Sequence, residues 1–237
     1  MTECAECGGL GLVKGNSGLK ACVCQGEARR AYAVRRAGIP EGFSHARLDN
    51  LKQSPTNANG LLIAKRFTQD FIPGKRETRG LMLTGSVGTG KTHLAVGVLR
   101  DLVERLGIEA RFVDVRELLE RIKASYDDQS RETQAGILKP ILCADLVLID
   151  ELGAARPSDW VFETIELLIG GLYNHQVPVI VTTNLPNSPA AAASSNDYGR
   201  AMRQETLADR IGARMWSRLQ QMCVAVDMTG PDWRGKR

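Results

Sequence analysis

From Gly80 onward, short aliphatic runs alternate with longer segments whose apolar residues recur every three or four positions. Runs such as "LMLT", "DLVLID" and "PVIVTTN" have strand length and lack the polar alternation of a half-exposed sheet. They predict buried strands near 80–84, 109–114, 145–149, 177–182 and 222–228. The intervening periodicity predicts helices near 91–106, 115–126, 131–142, 159–174 and 203–220. Strands alternating with helices in this way give an α/β fold, a parallel sheet with helices on both faces. Upstream, "QGEARRAYAVRRAG" is a short basic helical stretch ended by Gly38 and Pro40, and "IPEGFSHARLDNL" is an irregular, partly apolar connector. A further helix covers 57–71, and "PGKRETRG" punctuates the chain after it. The small, proline-bearing stretch 186–199 predicts a surface loop.

At 237 residues the chain accommodates one full core with a small appendage. We divide it into an N-terminal module, 1–45, and a main domain, 46–237. With 43% hydrophobic and 24% charged residues it is neither fibrous nor disordered. Its apolar runs fall far short of the roughly eighteen residues that a membrane helix needs, so no membrane is implied. Acids and cysteines stand at the front, where a secretory signal would carry lysines and an apolar stretch, which predicts a cytoplasmic protein. The net charge of +4 is uneven: residues 1–80 hold 13 Lys and Arg against 7 Asp and Glu, and the remainder 18 against 20. A basic front suits nucleic acid as well as it suits a solvated surface.

"GSVGTGKT", 85–92, fits GxxxxGK(S/T), follows a strand and opens a helix. Glycines let successive backbone N–H groups turn toward a phosphate chain at a helix N-terminus, where the helix dipole favours negative charge. Gly85, Ser86, Val87, Gly88, Thr89 and Gly90 therefore form the candidate cradle, continued by Lys91, Thr92 and His93. Lys91 reaches the outer phosphates, and the Thr92 hydroxyl is a ligand for magnesium (Mg2+). "DLVLIDEL" ends a buried strand in two acids: Asp150 completes the Mg2+ shell, and Glu151 orients and activates the attacking water. Two adjacent acids favour ATP hydrolysis over phosphoryl transfer to a small acceptor. Asn184 ends another strand, where it is either a turn residue or a phosphate sensor. Arg210, Arg214 and Arg218 recur every four residues, which puts them on one helical face. Such a face is either solvated or presents a guanidinium to a neighbouring subunit's γ-phosphate, and Arg218 is the candidate.

Four cysteines, Cys4, Cys7, Cys22 and Cys24, are spaced C-x2-C and C-x-C. In a reducing compartment this reads as a zinc (Zn2+) site or as plain thiols, rather than as two disulfides. Cys143 and Cys223 lie in apolar segments and are expected to be buried.

"GSVGTGKTHLA", "LVLIDELG", "VTTN", "RIGARMWSRL" and the terminal "DWR" resemble the AAA+ ATPases of the DnaC/DnaI helicase-loader and IstB-like group, most closely a DnaC-type loader. The resemblance covers nearly the whole chain and implies a P-loop NTPase fold with a five-stranded parallel sheet in the order 5-1-4-3-2, without a C-terminal helical lid. It implies Arg218 as the trans-acting finger and Arg234 as a second nucleotide sensor. It implies a protein that self-assembles with ATP and places a replicative hexameric DNA helicase on single-stranded DNA, the cysteine module serving as helicase dock or structural staple. Loaders of this kind put DNA-contacting helices after the second strand, which makes Arg116, Arg121 and Lys123 possible contacts, although the same residues suit an ordinary charged helix face. An IstB-like helper of a transposase is the alternative, and a small-molecule kinase is disfavoured by the acid pair.

Overall fold

The computed structural model describes residues 7, 12–15, 18–52, 54, 56–76, 78–187 and 205–234. Cys4, and the expected loop beyond residue 187, lie outside the described residues. The first pair of strands, β1 (Leu12–Gly15) and β2 (Gly18–Ala21), forms an antiparallel hairpin with Leu12 opposite Ala21. Helix α1 (Val23–Arg36) follows, and α2 (Ala58–Asp70) leads to the main sheet.

That sheet is parallel throughout: β3 (Gly80–Thr84), β4 (Ala110–Asp114), β5 (Leu146–Asp150), β6 (Val179–Thr183) and β7 (Cys223–Asp227). Their spatial order is β4-β5-β6-β3-β7, which reads 5-1-4-3-2 when the strands are counted from β3. Every residue of the three central strands is buried. Unbroken aliphatic runs form them because both faces are covered by helices. Side-chain alternation sorts each strand between two cores: Val147 and Ile149 point into one cluster, Leu146 and Leu148 into the other. Complete burial of each such side chain contributes about 1.5–3 kcal/mol.

Helix α3 (Lys91–Leu106) covers one face, while α4 (Val115–Ala124), α5 (Gln134–Leu142) and α6 (Asp159–Asn174) cover the other. Ala33 and Ala37, from the end of α1, share the α3 core with Leu94 and Leu99. The division drawn at 45/46 therefore runs through a common apolar cluster.

Two sequence expectations need correction. The helix expected over 203–220 is two helices in its described part, α7 (Leu207–Ile211) and α8 (Ala213–Met222). Gly212, at φ 83° and ψ 148°, breaks it, in a left-handed region of φ that favours glycine. Cys143, expected inside, is exposed just beyond the end of α5, whereas Cys223 is buried as expected. Among the described residues, no helix is long and apolar enough to cross a membrane.

Candidate nucleotide site

The C-terminal ends of β3, β5 and β6 meet at a cavity of about 670 Å³. The loop after β3 takes its shape from Gly85, Gly88 and Gly90, at φ 141°, 80° and 94°. Two of these glycines also admit a neighbour. A Cβ on Gly85 would lie 2.0 Å from the Met228 carbonyl oxygen, and one on Gly88 would lie 2.0 Å from the Asp232 carboxylate. The segment after β7 is thus laid across the phosphate loop, and the Trp233 N–H donates to the Gly88 carbonyl at 3.1 Å. This brings Trp233 and Arg234 into the wall of the cavity.

Lys91 is 6% exposed and donates from Nζ to the carbonyls of Gly85 and Ser86, at 2.8 and 2.6 Å. Burial, and after it the Arg234 guanidinium, brings its pKa down to about 8, against the opposing pull of Asp150 and Glu151. The Thr92 hydroxyl donates to Asp150 Oδ1 at 2.9 Å, which joins the phosphate loop to the acidic strand tip. Asp150 is 5% exposed; burial raises its pKa, and hydrogen bonds from Thr182 and Thr92 oppose the rise. A hydroxyl and a carboxylate converging at a helix N-terminus are hard oxygen donors of the kind Mg2+ takes, so Thr92 and Asp150 fit that ion.

Glu151 stands at φ 56°, a left-handed conformation rare outside glycine. Thr182 holds it there. The Thr182 hydroxyl donates to Asp150 Oδ1 at 2.6 Å and accepts the Glu151 N–H at 3.0 Å. Next to it, Thr183 donates to the Leu152 carbonyl at 2.8 Å. The two threonines preceding Asn184 were not among the expected site residues, though hydroxyls on an otherwise aliphatic buried strand are the legible signal. Because β6 lies between β3 and β5, Asn184 joins Glu151 on the cavity wall.

The connector 41–52 also goes beyond the sequence reading. It contributes Phe43, His45, Asn50 and Lys52 to the cavity. Asn50 Oδ1 accepts the Arg47 N–H and lies 2.8 Å from His93 Nε2, while the Arg47 carbonyl lies 3.2 Å from the same nitrogen. Both are acceptors, so Nε2 carries the proton. Burial holds His93 below its ordinary pKa, consistent with a neutral donor ring. Gly97 completes the attachment: a Cβ there would meet the Leu48 backbone N at 3.0 Å. His93 thus ties the connector to α3 and also lines the cavity beside it.

The three arginines do not share one face, because Arg210 is on α7 and the other two are on α8. Arg210 donates to Glu205 at 2.7 Å and to the Ala155 carbonyl at 2.9 Å, and Arg214 donates to Glu166 at 2.8 Å. Arg218 has no ion pair among the described residues; its guanidinium lies over the Tyr173 ring, 5.2 Å from the centroid. It is not part of the cavity wall. On α4, Arg116 and Lys123 are exposed, and Arg121 is engaged by Glu132. Near them the Trp160 indole N–H donates to the Tyr126 hydroxyl at 3.3 Å, and Tyr126 is 56% exposed.

Cys7 and Cys22 are both buried, but the side chain of Cys24 lies outside the described residues, as Cys4 does. Among the described residues no three metal-ligating side chains cluster.

A family model described as IstB-like ATP-binding protein matches residues 26–236. The replicative helicase loader DnaC of Buchnera aphidicola subsp. Acyrthosiphon pisum is 29% identical over 124 residues, 52% of this chain and 49% of that protein. The replicative helicase loader DnaI of Bacillus subtilis is 25% identical over 172 residues, 70% of this chain and 51% of that protein. The chain spans about half the length of these curated relatives. A crystal structure of the DnaC helicase loader is 30% identical, with a TM-score of 0.65, covering 80% of this chain and 100% of that one.

Proposed function

The chain belongs to the IstB-like ATP-binding protein family, within the AAA+ group that includes the DnaC and DnaI helicase loaders, and from that premise we propose that it is a cytoplasmic ATP-dependent loader of a replicative DNA helicase onto single-stranded DNA. The observation that carries the nucleotide part is the junction of Thr92, Asp150 and Thr182 at the mouth of the phosphate loop. There the chain holds a polyphosphate through backbone N–H groups and Lys91, with Arg234 from the crossing C-terminal segment. Thr92 and Asp150 hold Mg2+, which neutralises phosphate charge when bound. Glu151, fixed by Thr182, accepts a proton from water. The water oxygen bonds to the γ-phosphorus as the bond to the bridging oxygen breaks, giving ADP and phosphate. Asn184 positions that water, and Arg218 completes the pocket of a neighbouring subunit in the ATP-bound assembly.

Single-stranded DNA suits the exposed side of α4. Arg116 and Lys123 supply charge to phosphates, and the Tyr126–Trp160 pair supplies ring faces to bases. Arg121 is the weakest of the proposed contacts, since Glu132 already takes its guanidinium.

The front of the chain is read as a zinc-stabilised dock for the helicase. The hairpin supports this, because Leu12 pairs with Ala21 and so brings the two cysteine-bearing arms to one end. Buried Cys7 and Cys22 are soft donors that fit Zn2+, with Cys4 and Cys24 as the other proposed ligands. Metal analysis of protein purified without chelator is expected to find one zinc per chain; none would remove this module from the proposal.

The loader reading is tested by affinity capture from native lysate with ATP and magnesium. The expected result is the cell's replicative hexameric helicase in the ATP arm, absent without nucleotide and absent with Lys91→Ala. Recovery of a transposase in its place would move the function to the IstB-like alternative.

A further inference from the structure

Arg218 crosses from α8 onto α6 at a particular place. A Cβ on Gly170 would lie 2.8 Å from Arg218 Nη1, and among the described residues no other heavy atom beyond its chain neighbours and the helix's own backbone falls within 4 Å of that position. One turn on, the Tyr173 ring lies beneath the guanidinium, and its hydroxyl donates to Gln221 of α8 at 2.8 Å. A buried glycine at an interior helix position lowers helix propensity, so something other than the helix itself must account for it. Among the described residues, the atom that occupies the space is the arginine nitrogen. The ring face holds the cation, and Nη1 donates only to the weakly accepting Met215 sulfur, at 3.9 Å, unlike the carboxylates that engage Arg210 and Arg214.

We propose that Gly170 and Tyr173 form a shelf that positions the Arg218 guanidinium for the neighbouring subunit's γ-phosphate, with no carboxylate among the described residues holding its donors. The inference rests on the reading of Arg218 as the trans-acting group and adds two positioning residues to it. A long, freely rotating arginine would lose conformational freedom on entering a second subunit's pocket; one already laid on a ring and a glycine notch loses less.

The test is ATP hydrolysis per subunit as protein concentration rises, with magnesium and an oligo-dT strand present. Gly170→Ala places a methyl group against Nη1 alone and improves helix propensity. Its melting temperature should hold or rise, ATP affinity of the dilute protein should be unchanged, and the concentration-stimulated rate should fall by about fivefold or more. Tyr173→Ala should lose about fivefold in the same rate, and Tyr173→Phe, which keeps the ring, should restore it. A purely structural role would move stability and leave the stimulated rate intact. Arg218→Ala separates the two claims. If it keeps the stimulation, or if the wild-type protein shows none, the trans-acting assignment falls and the shelf with it. Loss in Arg218→Ala with full stimulation in both Gly170→Ala and Tyr173→Ala overturns the shelf alone.

Discussion

The strand tips around Asp150 and the surface around Arg218 hold their charged groups in opposite ways. Asp150 is buried under two hydroxyl donors, and Glu151 is pinned through its backbone to one of them. Arg218 rests on an aromatic face with no carboxylate paired to it among the described residues, whereas Arg210 and Arg214, which precede it in the chain, each have one. Asp150 Oδ1 and the Glu151 N–H are thus fixed by directional hydrogen bonds. Arg218, read as acting on another subunit, is held by a non-directional ring contact and a weak bond from Nη1 to the Met215 sulfur.

The contrast is broken most severely at Glu151. Glu151→Gln keeps the shape and the backbone bond to Thr182 but removes the proton acceptor. Single-turnover hydrolysis should fall by about 10²–10⁴-fold with ATP affinity retained; a wild-type rate would refute the role. Thr182→Val attacks the internal hydrogen bonding itself. It strands the Glu151 N–H and takes one donor from Asp150, so denaturant unfolding should show a loss of about 1–3 kcal/mol. The hydrolytic rate should drop by about tenfold as Glu151 loses its anchor. A Thr182→Val protein as stable and active as wild type would show that the hydroxyl bonds are incidental.

The smallest effect is titration of Lys91. Its folded pKa is lowered to about 8 from an ordinary 10.5, and a polyphosphate binds its charged form. ATP binding therefore takes up a proton above about pH 8. Affinity should be flat below that value and weaken by up to about tenfold per pH unit above it. The sign for folding is the opposite. The buried charge is disfavoured in the folded state, so this group lets stability rise between about 8 and 10.5 as the ammonium neutralises. Calorimetry across pH 7–9.5 reads the first effect, and a constant affinity would place the Lys91 pKa at its ordinary value.

Much of this molecule is visible in one dimension. The aliphatic runs of β3, β5 and β6 announce buried parallel strands because both faces are covered, and the glycine spacing of 85–90 announces a phosphate loop because few other turns require it. The acids at 150–151 follow from their place at a strand end. The residues not seen in advance are those whose role depends on distant partners. Thr182 matters because β6 lies beside β5, and Asn50 because Gly97 lets the connector lie against α3. Four-residue spacing of arginines suggested a common face, but one glycine in a left-handed conformation divided the helix.

Local pattern thus determined the five strands of the parallel sheet, the phosphate loop and the place of the acid pair at a strand end, since each is dictated by steric and solvation preferences acting over a few residues. Tertiary structure decided which side chains share an environment. Only packing brings Thr182 to Glu151, Asp232 to Gly88 and Tyr173 to Arg218. Those contacts arise from sheet order and from close approaches at glycines, neither of which has a signature within a single stretch of chain.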